Sequence, residues 1–496
     1  MPESKPQSGT IARATKWSLF TQIIAKIIPP LSSMILARIF APEVFGIIAT
    51  VTMVTSFADT FSESGFQKYI ISKRYDDQDE LRKDADVAYW TNLGISVILW
   101  IVISLFSKPL CDTLGNPGIE LALIVACAQL PITSLSSIQV ATYHRTYNFS
   151  RVFWGQLISS ISNLVLTLIL AFAGCGYWSI IFGNITGYLV KAVMLTIKSP
   201  WHPHLYYDVN RALNIFSFSF WIMAEGIAVW LTSWFDSFVV GNRLSSHDLG
   251  IYKNSQSVVN GVLAIPQNSV TNVLLVTLSK LKDNPKEYNK EFLRSERMLA
   301  YILLPMAAGL CVFRKLAVRV AFGTGWEDAE IVVGVWALAS VLRVLFVSIN
   351  TAVYISKGKP KISLYCQFID MLFLIPTCIF GIKLGFEKFV ILRGIVRLDI
   401  IIPNFIILSR LFDIKFRSIA RNMSKPFIAT IAMTGVAIIL NSINTSLIWD
   451  ICAIGLCIVF YFTFVWIIAR DDAKAIIKLV KKKMNTKRIS RNILLD

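Results

Sequence analysis

Apolar stretches of about 18 residues or more recur along the whole chain, each long enough to cross about 30 Å of hydrocarbon. No other property of the sequence narrows the fold as far. Lipid offers the backbone no hydrogen-bond partners, so spans of this length are helices. Composition agrees. Hydrophobic residues make up 55% of the 496 and charged residues 16%, against about 25% charged in a soluble domain. The reading is an all-α polytopic membrane protein. Spans are expected at 16–39, 43–63, 85–106, 119–141, 152–173, 176–197, 213–240, 249–278, 298–322, 329–350, 361–384, 387–409, 426–443 and 447–469, about 14 transmembrane helices in all.

An even number of spans puts both termini on one side. One set of loops, with the two tails, then holds roughly 36 Lys and Arg, and the other set roughly 8. The positive-inside rule assigns the rich side, and both termini, to the cytoplasm. It also accounts for the net charge of +18, which in a soluble chain would point to nucleic acid; no nucleic-acid partner is expected. The loops are too short for a folded domain of about 50 residues, so function lies within the helices. Residues 1–14 are polar, and the first apolar run is too long for an h-region and lacks an A-x-A site. The first helix is therefore expected to stay in the protein. The eight cysteines form no C-x-x-C pair and read as small core hydrophobes. His202 and His204 in WHPH lack a third ligand nearby. With no phosphate loop and no nucleophile elbow, the chain is read as a non-enzyme without metal or cofactor. The tail AKAIIKLVKKKMNTKRISR is expected to lie along the anionic inner leaflet.

An internal repeat comes next. KWSLFTQIIAKIIPPLSSMILARIFAPEVFGI (16–47) lies over FWIMAEGIAVWLTSWFDSFVVGNRLSSHDLGI (220–251) without gaps. Trp17 falls on Trp221, Ser33 on Ser237, Gly46 on Gly250 and Ile47 on Ile251. The polar corner 38–43 falls on the polar corner 242–247. The offset covers six helices, an even number, so the halves run in the same sense as a parallel repeat. The expected layout is an N-terminal six-helix lobe (1–200), a C-terminal six-helix lobe (201–412), two additional helices (413–470) and a basic cytoplasmic tail (471–496). The corner from Arg38 to Gly46 reads as a structural turn on the outer face.

Ionisable groups at membrane depth face a cavity or a partner, and are functional candidates by default. Several align on helix faces. The second span carries Thr52, Thr55, Asp59 and Glu63; the fifth, Gln156, Ser160, Asn163 and Thr167. The seventh carries Glu225, Thr232 and Asp236; the eighth, Lys253, Ser257, Asn260, Gln267 and Thr271. The eleventh carries Ser363, Gln367, Asp370 and Thr377; the twelfth, Arg393, Arg397 and Asn404, with Asp399 pointing away from Arg397. Polar seams also hold helices together, and Lys253 and Arg393 lie near span ends, where long side chains snorkel. The cationic set Lys26, Lys253, Arg343, Arg393 and Arg397 goes beyond packing. Together the seams predict a hydrated cavity between two bundles, with both signs of charge on its wall. Such a cavity suits an amphiphile with an anionic head. Asp59, Glu63, Glu225, Asp236 and Asp370 are the candidates for carrying a driving ion, H+ or Na+. Pro29, Pro30 and Pro266 mark bends.

Lys16-Trp17-Ser18 and Leu36-Ala37-Arg38-Ile39-Phe40-Ala41-Pro42-Glu43-Val44-Phe45-Gly46 resemble the opening of bacterial polysaccharide transporters. These are the Wzx-type flippases of the multidrug/oligosaccharidyl-lipid/polysaccharide exporter superfamily. Phe40 stands where Leu is usual. Asp236-Ser237-Phe238-Val239-Val240-Gly241, followed by Gly250-Ile251-Tyr252, fits the second half of the pattern. The resemblance implies two six-helix bundles with two peripheral helices, in a bacterial inner membrane. It implies a flippase for a polyprenyl-pyrophosphate-linked oligosaccharide, working by alternating access, with cationic cavity residues at the anionic head. Membrane lipids, a glycan polymerase and chain-length proteins are the partners it implies. The alternatives are a cation-coupled multidrug-type antiporter, which favours an acidic, aromatic cavity, and a membrane glycosyltransferase or polymerase, for which the short loops leave no space.

Overall fold

The computed structural model describes residues 28–472 apart from 63, 76, 360 and 445, together with residues 17, 18, 21 and 25. Helices begin where short polar side chains satisfy the first open backbone donors. The Asp77 carboxylate accepts from Asp79 N ahead of Gln78–Leu105, and Asp208 accepts from Asn210 N and Arg211 N ahead of Val209–Arg243. Asn284 precedes Pro285–Val312, with Pro285 in the first turn, where its missing N–H costs nothing. Among the described residues, twelve helices are long and apolar enough to cross a membrane. Their outward surfaces carry large apolar side chains such as Ile98, Phe172, Ile431, Ile448 and Ile467. That belt is what hydrocarbon, in place of water, permits.

Two of the expected spans are missing from the twelve. The first, 16–39, lies largely outside the described residues. The twelfth, 387–409, is not one helix: it is Phe386–Val396 and Ile401–Phe412, separated by turns at 397–400. Neither half has the about 20 residues a single crossing needs. A local contact accompanies the break. Asp399 Oδ1 accepts its neighbour's amide, Ile400 N, at 2.5 Å, an alternative that short carboxylates offer the backbone in place of helix. Arg393 and Asn404 therefore lie on different helices, which corrects the single face expected for Arg393, Arg397 and Asn404.

The chain forms two compact units. The first comprises residues up to Gly261 with Ala321–Trp326 and Met371–Phe389; the second comprises Val262–Val320, Glu327–Asp370 and the chain from Val390. The first holds a core around Met53, Cys111, Leu123, Cys127 and Leu130, and another around Phe66, Val87, Ala88 and Ile138. The second holds a core in which Tyr301, Ala308 and Phe313 pack against Met433, Ala437, Cys457 and Tyr461. This seats the last two helices on Pro285–Val312. Five of the cysteines are buried and Cys311 is partly so, whereas Cys175 and Cys452 are exposed, contrary to a core role for all eight. An apolar thiol is equally at home facing lipid.

Within the first unit the two repeat corners meet. A Cβ on Gly46 would lie 1.9 Å from the Ser246 carbonyl oxygen, and a Cβ on Gly250 would lie 1.9 Å from the Pro42 carbonyl oxygen. Backbone this close leaves room only for glycine. The two contacts interconvert when each residue is exchanged for its repeat equivalent. Glu43 Oε1 lies 2.8 Å from His247 Nδ1, its own equivalent 204 residues on. A residue that meets its own equivalent marks a local two-fold axis. Each corner is held from a further segment: Asn242 Nδ2 donates to Thr113 O at 2.6 Å, and Trp326 Nε1 donates to Ala37 O at 3.1 Å. Ser33 Oγ donates to Asn254 Oδ1 beneath them.

Candidate functional site

In the second unit, ionisable side chains from three helices and from the turn at 397–400 gather at the helix break. Arg343 ends the Ala329–Arg343 helix and is followed by a π-helical turn, Val344–Ser348. Such wide turns are frequent at functional sites. Arg343 grips Asp370 with both terminal nitrogens, Nη2–Oδ2 at 2.6 Å and Nη1–Oδ1 at 3.3 Å. Asp370 is 1% exposed. Arg343 Nη1 also reaches the Arg397 carbonyl at 3.5 Å, an oxygen at the break. The Arg397 guanidinium lies over the Trp336 ring, 4.0 Å from its centre. Arg393 is buried at 2% exposure.

Beneath this cluster Asn404 is fully enclosed. It accepts from the Tyr354 hydroxyl at 2.5 Å and donates to Ile400 O at 2.9 Å, tying the second half-helix to Asn350–Ser356. Three guanidiniums (Arg343, Arg393, Arg397) face two carboxylates (Asp370, Asp399), so with all five ionised the cluster carries a single net positive charge. Planar guanidiniums match phosphate oxygens in pairs.

A second cluster lies in the first unit. Lys253 Nζ sits 3.6 Å from the centre of the Trp234 ring, 3.2 Å from Ser233 O and 3.4 Å from Ser237 Oγ. Ser237 Oγ donates to Asp236 Oδ1 at 3.2 Å and its amide does so at 2.7 Å. The Tyr252 hydroxyl donates to Asp236 Oδ2 at 3.0 Å. Asp236 is 2% exposed, and these donors replace the water it lost. The seventh and eighth spans thus bring Asp236 and Lys253 to one hairpin, bridged by Ser237.

Asp59 is partly buried on Pro42–Ser62, and Glu225 is exposed on Val209–Arg243. Lys26 and Glu63 lie outside the described residues. In the fifth-span seam Asn163 Nδ2 donates to Asn184 Oδ1 at 2.7 Å, and beside it Ser159, outside the expected seam, donates from Oγ to Gly187 O at 2.8 Å; both join Phe149–Phe172 to Trp178–Ile197.

Sequence reasoning passed over Trp336, Trp234, Tyr252 and Tyr354. Trp336 had a readable signal, since seven residues are close to two helical turns and place it on the face of Arg343. The π-turn had none. Sequence reasoning also missed a hub at the other end of the first unit. Asp84, 1% exposed, accepts from Lys73 Nζ at 2.7 Å, Tyr75 OH at 3.1 Å and Arg211 Nη1 at 2.6 Å. Burial opposes the Lys73 charge, but hydrogen bonds to Asp84 and Glu80 outweigh it and hold its pKa above the ordinary lysine value. Burial, reinforced by the Asp84 charge, pushes the Tyr75 phenol up. Nearby, Asp86 Oδ1 accepts from the His204 amide at 3.0 Å, so His204 of the WHPH stretch anchors a loop.

The sequence profile of a family described as "Polysaccharide biosynthesis protein" matches residues 35–331. The chain is 25% identical over 334 residues to the succinoglycan biosynthesis transport protein ExoT of Rhizobium meliloti (strain 1021), covering 66% of each. It is 22% identical over 378 residues to the lipopolysaccharide biosynthesis protein WzxC of Escherichia coli (strain K12), covering 74% of each. Its fold is similar to that of the lipid II flippase MurJ in an inward closed conformation, with a TM-score of 0.77 at 16% identity over 92% of this chain and 99% of that one. It is also similar to an inward-facing multidrug resistance MATE family transporter of the MOP superfamily, with a TM-score of 0.60 at 12% identity over 81% and 98%.

Proposed function

The chain belongs to the polysaccharide biosynthesis protein family, whose members are multi-pass membrane transporters and not enzymes, and from that premise we propose that it is a flippase for a polyprenyl-pyrophosphate-linked oligosaccharide repeat unit. It carries the unit from the cytoplasmic to the periplasmic leaflet of a bacterial inner membrane by alternating access. The observation that carries this reading is the arginine cluster at the broken helix. Three guanidiniums within a membrane bundle are costly, and they outnumber the two carboxylates beside them, which leaves positive charge suited to an anion. Arg393 and Arg397, beside the Arg343–Asp370 pair, are the groups assigned to the pyrophosphate. Trp336 holds the Arg397 plane by stacking, and Lys253 and Lys26 are further candidate cations for the substrate.

Two six-helix lobes, 1–200 and 201–412, related as a parallel repeat, with two added helices at 413–470 and both termini cytoplasmic, complete the reading. The reciprocal corner contacts support the repeat. Coupling to H+ or Na+ through Asp59, Glu63, Glu225, Asp236 or Asp370 belongs to the same proposal, as do a glycan polymerase and chain-length proteins as partners and the tail at 471–496 on anionic lipid. A multidrug-type antiporter shares the fold, but a cluster with three arginines is poorly suited to cationic drugs.

Deleting the gene tests the reading. Surface glycan is expected to disappear while lipid-linked repeat units accumulate on the inner leaflet. The intact gene restores export, and Arg393→Gln with Arg397→Gln does not. Normal surface glycan in the deletion strain, with no second flippase present, or drug sensitivity as its sole phenotype, refutes it.

A further inference from the structure

The two repeat corners meet through an ionisable contact placed on their local two-fold axis. Glu43 and His247 are the same position in the two repeats, and their side chains bond each other at 2.8 Å. Both are open to solvent, at 54% and 35% exposure. The glycines three residues on, Gly46 and Gly250, let the two backbones touch on either side of the pair. Separating the corners therefore breaks this bond together with both backbone contacts. We propose that Glu43 and His247 form a proton-operated latch that favours contact between the corners in acid and loosens it toward alkaline pH. The inference rests on the alternating-access reading for its consequence: acid on the corners' side holds that side of the transporter shut.

The sign follows from the chemistry. A protonated imidazole gives an ion pair with the Glu43 carboxylate, whereas a neutral imidazole carries no charge to pair and donates to the carboxylate only with its proton on Nδ1. Imidazoles change charge between about pH 5 and 8. The other charged groups on the packed segments are Arg38 on the first corner, Arg243 and Asp248 on the second, and Lys108 and Asp112 on Ser107–Thr113. Asp248 Oδ2 accepts from Ser245 Oγ at 2.6 Å. The segment 321–326 brings no charged side chain. His247 carries the imidazole of these segments. A half-exposed pair shifts an equilibrium by about two- to fivefold, a bias on the corners rather than a lock.

The test uses the full chain in nanodiscs, with spin labels at Ala41→Cys and Ser245→Cys and with Cys175, Cys311 and Cys452 replaced by serine. Double electron–electron resonance reads the short-distance fraction between pH 5.5 and 8.0. That fraction is expected to be about two- to fivefold larger relative to the long one at pH 5.5. His247→Gln and Glu43→Gln are each expected to abolish the pH dependence. The exchange Glu43→His with His247→Glu is expected to restore it, because the two positions are equivalent across the axis. A pH-independent distribution in the parent, or dependence that survives His247→Gln, overturns the latch. Surface glycan in the deletion strain is scored separately. Restored export without a pH effect removes the latch and keeps the flippase, and a pH effect without restored export does the reverse.

Discussion

The Arg343–Asp370 pair allows a direct test of how the arginine cluster is built. Asp370 is almost wholly enclosed, with its side chain 2% exposed against 22% for Arg343. Removing one member of a buried pair costs about 3–5 kcal/mol, because it strands the other charge. Asp370→Asn leaves a guanidinium with some access to solvent, so its cost is expected near about 3 kcal/mol, the lower end of that range. Arg343→Gln strands the more deeply buried carboxylate and withdraws the donor to the Arg397 carbonyl, so it falls near about 5 kcal/mol. The double variant removes both charges and is expected to be more stable than either single, so its loss falls far below the sum of the two single losses. The assay is a double-mutant cycle on the detergent-purified chain, read as the temperature at which the monodisperse peak is lost on size exclusion. Surface glycan is scored in parallel. The expected order of stability is parent, double variant, Asp370→Asn, Arg343→Gln, with export following the same order. A double variant whose loss equals the sum of the singles would show that the two groups do not interact and would refute the pairing.

Three further outcomes follow from the same geometry. Gly46→Ala and Gly250→Ala should each cost about 1–3 kcal/mol and by similar amounts, because each new methyl meets a backbone oxygen at the same distance; a large asymmetry in their melting temperatures would contradict the local two-fold. Trp336→Leu removes the shelf under Arg397 and should lower surface glycan about two- to fivefold, the scale of an exposed-to-partly buried cation–π contact, with little change in melting temperature; unchanged export would remove Trp336 from the site. Because the Lys73 pKa is raised on folding, its contribution is fully present below the ordinary lysine value and is lost as pH climbs through the higher folded one. Lys73→Gln should flatten stability against pH above about 10.4, and an alkaline limb unchanged in that variant would place the effect elsewhere.

The spans were readable because bilayer thickness sets a length, and hydropathy over that length is a property of local sequence. The repeat was readable as an offset, since Gly46 and Gly250 occupy matching places in matching hairpins. What the offset means in space was not readable: that Glu43 faces His247 and Gly46 faces Ser246 depends on two hairpins packing corner to corner. The candidate site was half legible. Arg343, Asp370, Arg393 and Arg397 stood out as charges in apolar runs, and so did Asp236 and Lys253. Their pairings were hidden, because a partner 27 residues away, as Asp370 is from Arg343, is chosen by helix packing and not by periodicity.

The broken twelfth span shows where the boundary lies. Residues 387–409 read as a continuous apolar helix, and helix propensity at Arg397-Leu398-Asp399-Ile400 does not forbid one. A break at membrane depth persists only where protein groups take up the released backbone, and here Arg343 takes the Arg397 carbonyl from another helix. The sequence by itself determined an all-helical membrane chain, its internal repeat and the inventory of charges within it. The tertiary structure alone decided which charges neutralise each other, which helix breaks and which corners touch, because each of those depends on side chains brought together from distant parts of the chain.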